Sequence, residues 1–149
     1  MSDRADSVSQ DVVFYVLSSS GETERETFII KLLNKIHREQ RLCDVRCDDE
    51  TARQRLNHQL WSFKPEAFIP HILGEDLAQR HAKIRFWNQT IAQSCDDVLL
   101  NIHPAFPEHF QHYRRTIEVL DQSEHLIEMG RQRWKTYKAQ GFEPVVHKL

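Results

Sequence analysis

Glycine is scarce in this chain, with four in 149 residues, at positions 21, 74, 130 and 141. Neither a G-x-G-x-x-G fingerprint nor a Walker-type phosphate loop can be assembled from them, which excludes nucleotide binding by those routes. Cysteine is rarer still. Cys43, Cys47 and Cys95 cannot form a full disulfide set, and the N-terminus shows neither the basic start nor the apolar run of a secretory signal, so a cytoplasmic location is expected. No stretch approaches the roughly 20 apolar residues of a membrane span. A surplus of positive charge is missing too: 20 Lys and Arg stand against 22 Asp and Glu, a net charge of −2, where a duplex-DNA binder would carry a basic excess across the domain. Ser94-Cys95 has no G-x-S-x-G frame, and no cysteine sits in a local nucleophile signature. What is present, 40% hydrophobic and 28% charged residues, suffices for one globular domain with a real core.

The first ten residues are polar and aperiodic and read as a flexible lead-in, leaving residues 11–149 as a single domain. Val12-Val13-Phe14-Tyr15-Val16-Leu17 is apolar on both alternating faces, as in a strand buried between two layers, and Ser18-Ser19-Ser20-Gly21 breaks it. Thr23 and Glu26 have capping-box spacing ahead of Phe28, Ile29, Leu32, Leu33 and Ile36, whose recurrence predicts an amphipathic helix to about residue 40. Residues 42–47 supply a second strand, and Asp48-Asp49 can cap a second helix through Ala52, Leu56 and Leu60. Beyond Trp61 the pattern predicts short strands at 68–69, 83–87 and 98–102, a short helix at 107–113 and a further strand, edge or central, at 116–120. Asp121 with Glu124 then opens a last helix. This alternation predicts an α/β fold: a single three-layer domain with a mixed, largely parallel central sheet flanked by helices. Cys43 and Cys47, four apart on one strand, are separated by roughly 13 Å of strand rise, too far to share a metal ion.

The last helix carries the strongest signal, because Arg131, Arg133, Lys135 and Lys138 are interleaved there with Trp134 and Tyr137. From Arg131 onward five basic residues oppose one acid, Glu143, for a charge of +4, so the remainder of the chain carries −6. Such asymmetry predicts a polarised surface. At 100° per residue Ile127, Arg131, Trp134 and Lys138 share one stripe, beside a core-facing stripe of Leu126, Gly130 and Tyr137. Apolar, cationic and aromatic groups side by side suit an acidic peptide with a hydrophobic end better than they suit catalysis. A second feature lies where the second helix gives way to loop: Trp61 and Phe68, near Pro65 and Pro70, either cover an edge of the core or form a hydrophobic docking patch. His109 and His112 have i, i+3 spacing, but no Cys or carboxylate joins them at ligand spacing, so neither a metal nor another cofactor is expected. Asp48-Asp49 and Asp96-Asp97 read as caps and turn residues rather than catalytic carboxylates.

Four segments follow one another in a specific order and spacing: the strand start with Phe14 and Tyr15; Cys47-Asp48-Asp49-Glu50; Leu60-Trp61 through Phe68-Ile69-Pro70-His71; and Arg131-x-Arg133-Trp134-Lys135-x-Tyr137-x3-Gly141-Phe142. Together they resemble the chi subunit of bacterial DNA polymerase III holoenzyme, over nearly the whole chain after Asp11. The resemblance implies a non-enzymatic clamp-loader accessory that pairs with the psi subunit and grips the acidic C-terminal tail of single-stranded DNA-binding protein, tethering the polymerase to coated template. It also implies residue roles. Trp61 and Phe68 match psi-contacting aromatics, and Arg131 matches the arginine that contacts the tail. Trp134 stands where a tyrosine is usual and Ile127 where a lysine helps bind the tail, with Lys135 or Lys138 placed to make up that charge. Two rival readings stay open: a small α/β enzyme holding a phosphate-bearing ligand at the Ser18-Ser19-Ser20-Gly21 turn, and direct binding of single-stranded DNA by Trp134 and the lysines.

Overall fold

The computed structural model describes residues 10–62, 71–73 and 83–149. Residues 1–9, expected as a lead-in, and the strand expected at 68–69 lie outside them. Strand β1 (Asp11–Val16) leads to helix α1 (Glu22–Arg38), then β2 (Cys43–Arg46) and α2 (Glu50–Ser62). Strands β3 (His71–Leu73), β4 (Ile84–Trp87) and β5 (Val98–Asn101) follow. A 3-10 turn at Phe110–His112, β6 (Arg115–Leu120), α3 (Glu124–Ala139) and β7 (Val145–Lys148) complete the order. The strands form one seven-stranded sheet in the order β3-β4-β2-β5-β6-β1-β7.

Every described pairing is parallel, so the expected three-layer α/β domain is present with a parallel rather than a mixed sheet. Helical crossovers impose this direction and cover both faces, which is why β2 and β5 are buried at every position. β6 is central, between β5 and β1. One core joins Ile29, Leu33 and Ile36 of α1 and Leu56 and Leu60 of α2 to Val13, Val45, Leu100, Ile117 and Val119. The opposite core joins Leu126 and Tyr137 of α3 to Val12, Phe14, Leu99, Phe110 and Leu120. Odd and even positions of β1 thus serve different layers, as strand alternation requires.

The helix starts depart in part from expectation. Asp49 caps α2, its Oδ1 accepting from the Ala52 N–H at 2.8 Å. The box of Thr23 and Glu26 is not formed: α1 begins at Glu22 behind Gly21, with no side-chain cap. Glu26 instead takes the Arg55 guanidinium at 2.6 Å and Gln59 at 2.9 Å, so an ion pair between two helices outbids the local cap. At α3 the N-cap is Ser123, and Asp121 accepts from its N–H at 2.9 Å and its hydroxyl at 2.6 Å. The end of α3 explains the Gly141-Phe142 pair. Gly141 has φ +95°, the left-handed turn that glycine adopts without strain, and the Phe142 N–H returns to the Tyr137 carbonyl at 3.1 Å. The Phe142 ring then packs edge-on against Phe110, 5.0 Å between centroids. β7 has no counterpart among the predicted elements. It is short and exposed throughout and forms by adding to the free edge of β1.

Candidate functional site

Adjacent strands β1 and β6 send α1 and α3 to opposite faces of the sheet. Chains leaving in opposite directions open a crevice at the carboxyl ends of such strands, the usual ligand position in a parallel α/β sheet. A cleft of ≈ 990 Å³ lies there. Its floor is Phe14, Val16, Leu17 and Leu120, one wall is Ile127, Gly130, Arg131, Trp134 and Lys135 of α3, and the other is Val146, Lys148 and Leu149. Gly130 lets α3 approach closely, since a Cβ there would come within 2.4 Å of Leu120 Cδ1.

The cleft is apolar at its base and cationic at its rim. Arg131, Lys135 and Lys148 line it and take part in none of the described ion pairs. Asp121, the one acid among its lining residues, is 2% exposed and occupied with Ser123. Four of the five residues expected to bind a tail therefore meet in one place: half-buried Ile127 with exposed Arg131, Trp134 and Lys135. The fifth, Lys138, is not part of the lining. Its Nζ lies 4.7 Å from the centroid of the Trp134 ring and 3.6 Å from Glu143, so it backs the indole rather than the cleft. Trp134 is 39% exposed, a large ring left at the surface beside cations that have no ion-pair partner among the described residues. Trp61 belongs to α2, but its side chain and all of Phe68 lie outside the described residues. Lys148, Val146 and Leu149 escaped the sequence reading. The signal was the β-branched pair Val145-Val146, weak because the strand is only four residues long.

Arg133 is the clearest correction to the reading of α3 as a run of surface cations. It is 3% exposed, and its guanidinium donates to Glu118 Oε1 at 2.6 Å, to the His103 carbonyl at 2.9 Å and to the Pro104 carbonyl. Its spacing of three from Gly130 and four from Tyr137 places it on the core-facing stripe, the signal that could have found it. Tyr137 donates to the other Glu118 oxygen at 2.7 Å, and Asn101 to the same carboxylate at 3.3 Å. Burial pushes the Glu118 carboxyl above its ordinary value, while Arg133, Tyr137 and Asn101 pull it back. Nearby, His103 Nδ1 accepts from the Ala105 N–H at 2.9 Å. Desolvation, with the Arg46 charge second, holds its pKa below 6.5. The fold thus favours neutral His103, so its contribution is complete above pH 6.5 and is lost as pH falls below that toward the lower folded value. Melting curves are expected to show a drop between pH 8 and 5.5 that is smaller in His103→Asn, which keeps an acceptor in the turn but does not titrate. Equal drops in both proteins would remove this assignment.

The Ser18–Gly21 turn offers little to an anion. Glu22 and Glu24 occupy the first turn of α1, and the Glu24 carboxylate folds back so closely that a Cβ on Gly21 would lie 1.8 Å from Oε1. An acid already sits where a phosphate would bind. The thiols are passive as well: burial pushes Cys47 and Cys95 up to about 12, leaving no thiolate for nucleophilic or metal chemistry near neutrality. Among the described residues there is no cluster of three or more metal-ligating side chains and no helix long and apolar enough to cross a membrane.

Residues 10–145 match the family described as DNA polymerase III chi subunit, HolC. Three curated relatives, each described as DNA polymerase III subunit chi, align over most of the chain. The Pseudomonas aeruginosa protein is 29% identical over 138 residues, covering 93% of this chain and 96% of its own. The Escherichia coli K12 protein is 23% identical over 138 residues, covering 89% and 94%. The Haemophilus influenzae protein is 23% identical over 130 residues, covering 87% and 90%.

Proposed function

The chain belongs to the DNA polymerase III chi subunit family, and from that premise we propose that its cleft receives the acidic C-terminal tail of single-stranded DNA-binding protein. In this reading the protein is a non-catalytic accessory of the replicase clamp loader. It joins the clamp loader through the psi subunit, contacted by Trp61 and Phe68, and tethers the polymerase to coated single-stranded template. The observation that carries the tail assignment is three cations without an ion-pair partner among the described residues, Arg131, Lys135 and Lys148, around one apolar cleft whose lining holds no free acidic side chain. A tail ending in a phenylalanine carboxylate needs a greasy slot for the ring and a fixed cation for the carboxylate. Burying the ring contributes roughly 1.5 to 3 kcal/mol, and a charge-assisted hydrogen bond to Arg131 roughly as much again. The cost of ordering a flexible tail leaves a micromolar-class, salt-sensitive contact. Such a grip releases readily, and several tails on one partner oligomer raise its avidity.

Calorimetry with an acidic peptide ending in phenylalanine tests this directly. The free-carboxylate peptide is expected to bind in the micromolar range, and its C-terminal amide about tenfold or more weakly, because the charge-assisted bond is lost. A bare oligonucleotide is expected to bind more weakly still, since the remainder of the chain carries −6 against the cleft's cations. Equal binding of acid and amide removes the carboxylate assignment, and preference for the oligonucleotide favours direct strand binding instead.

A further inference from the structure

Only one face of α3 reaches the cleft, so the helix must be held at one rotation. A one-residue slip turns a helix by 100° and shifts it 1.5 Å, enough to carry Arg131 and Trp134 off the wall. The close approach at Gly130 opposes a slip that would bring a Cβ against Leu120, but the apolar contact of Leu126 with the sheet is non-directional and sets the rotation of the helix only loosely. Hydrogen bonds to a fixed carboxylate resist a slip well. Arg133 and Tyr137, one turn apart on α3, both donate to Glu118 in the middle of β6, at 2.6 and 2.7 Å, and two points on one carboxylate fix both rotation and translation. The second Arg133 nitrogen adds a third point, the His103 and Pro104 carbonyls beyond β5. A buried ion pair contributes little net stability compared with an apolar pair of the same shape, so orientation is the better account of why this one is here.

We propose that Arg133 is a positioning residue for the cleft, setting the register of α3 through Glu118 so that Arg131 and Trp134 face the ligand. The proposal rests on the tail-binding reading and deepens it. Calorimetry of the full chain with the acidic, phenylalanine-terminated peptide, run well below each variant's melting temperature, tests it. Arg133→Met is expected to weaken binding about tenfold. Arg133→Lys keeps the bond to Glu118 but gives up the fork to the two carbonyls, and is expected to weaken it about threefold. Val45→Ala, which loses stability in the core on the opposite face, is expected to bind like wild type. Wild-type affinity in both arginine variants overturns the proposal. So does failure of both to fold, which would reduce Arg133 to a requirement of folding. If the wild type itself does not bind the peptide, the tail reading fails. NMR shifts of the Arg131 Nε and Trp134 Nε1 signals in Arg133→Lys then decide the positioning role alone, and unmoved signals count against it.

Discussion

Arg131→Ala is expected to remove measurable binding of the tail peptide, a loss of about 10- to 100-fold, while leaving the fold and the psi complex intact. Arg131 is exposed, has no ion-pair partner among the described residues and lines the apolar cleft on the helix wall. Its truncation therefore leaves no buried group unsatisfied, and melting should move little. What is lost is the planar fork that can hold a carboxylate with two bonds. Lys135 and Lys148 remain as point charges, so the residual affinity should fall further on raising salt from 50 to 200 mM. Arg131→Lys is expected to recover only part of the loss. Phe68→Ala should behave oppositely, losing psi on co-purification and keeping the tail. A full-affinity Arg131→Ala protein would move the carboxylate site elsewhere, and wild-type recovery of psi with Phe68→Ala would remove that aromatic from the psi assignment.

The parts of this architecture that local periodicity can express were legible. β1 shows apolar residues on both faces, and α1 and α3 show recurrent apolar positions, so strand, helices and the α/β class follow from the chain. The stripe of Ile127, Arg131 and Trp134 was likewise readable, because three residues on one helix need no tertiary information to share a face. Tertiary pairing is what periodicity does not carry. Glu26 has the spacing of a cap yet goes to Arg55, 29 residues away. Arg133 looks like one more surface cation until Glu118, on a strand 15 residues earlier, is brought beneath it. The far wall of the cleft depends on β7, which only the weak pair Val145-Val146 announces, because its side chains are exposed and its order comes from pairing with β1. Lys148 thus supplies a cation to the same cleft in which Ile127 presents an apolar side chain, while Lys138 turns to Trp134 and Glu143.

Asp44→Ala is expected to cost about 3 to 5 kcal/mol of stability, the range for stripping one partner from a buried, hydrogen-bonded charge. Asp44 is fully buried on β2. Its Oδ1 accepts from the Trp87 indole at 2.9 Å and faces Arg85 Nε at 3.3 Å. Its Oδ2 accepts from the Cys95 N–H and the Tyr113 hydroxyl, each at 2.8 Å. Alanine takes an acceptor from all of these donors at once. Arg85 can turn toward water, since its side chain is 14% exposed, and the Tyr113 hydroxyl keeps Ser94 as a neighbour, but the buried indole N–H loses its acceptor outright. Asp44→Asn keeps one oxygen and turns an amide NH₂ toward the other donors. The tyrosine hydroxyl can rotate to accept from it, whereas the Cys95 N–H cannot, so a smaller loss of about 1 to 3 kcal/mol is expected. At roughly 2 to 4 °C per kcal/mol for a chain of this size, melting should fall by about 10 °C in Asp44→Ala and by about half that in Asp44→Asn. Asp44 lies outside the cleft lining, so tail affinity at 10 °C should stay within about twofold of wild type for the asparagine variant. A melting temperature unchanged in Asp44→Ala would mean that water replaces the carboxylate and that this buried charge is dispensable to the fold.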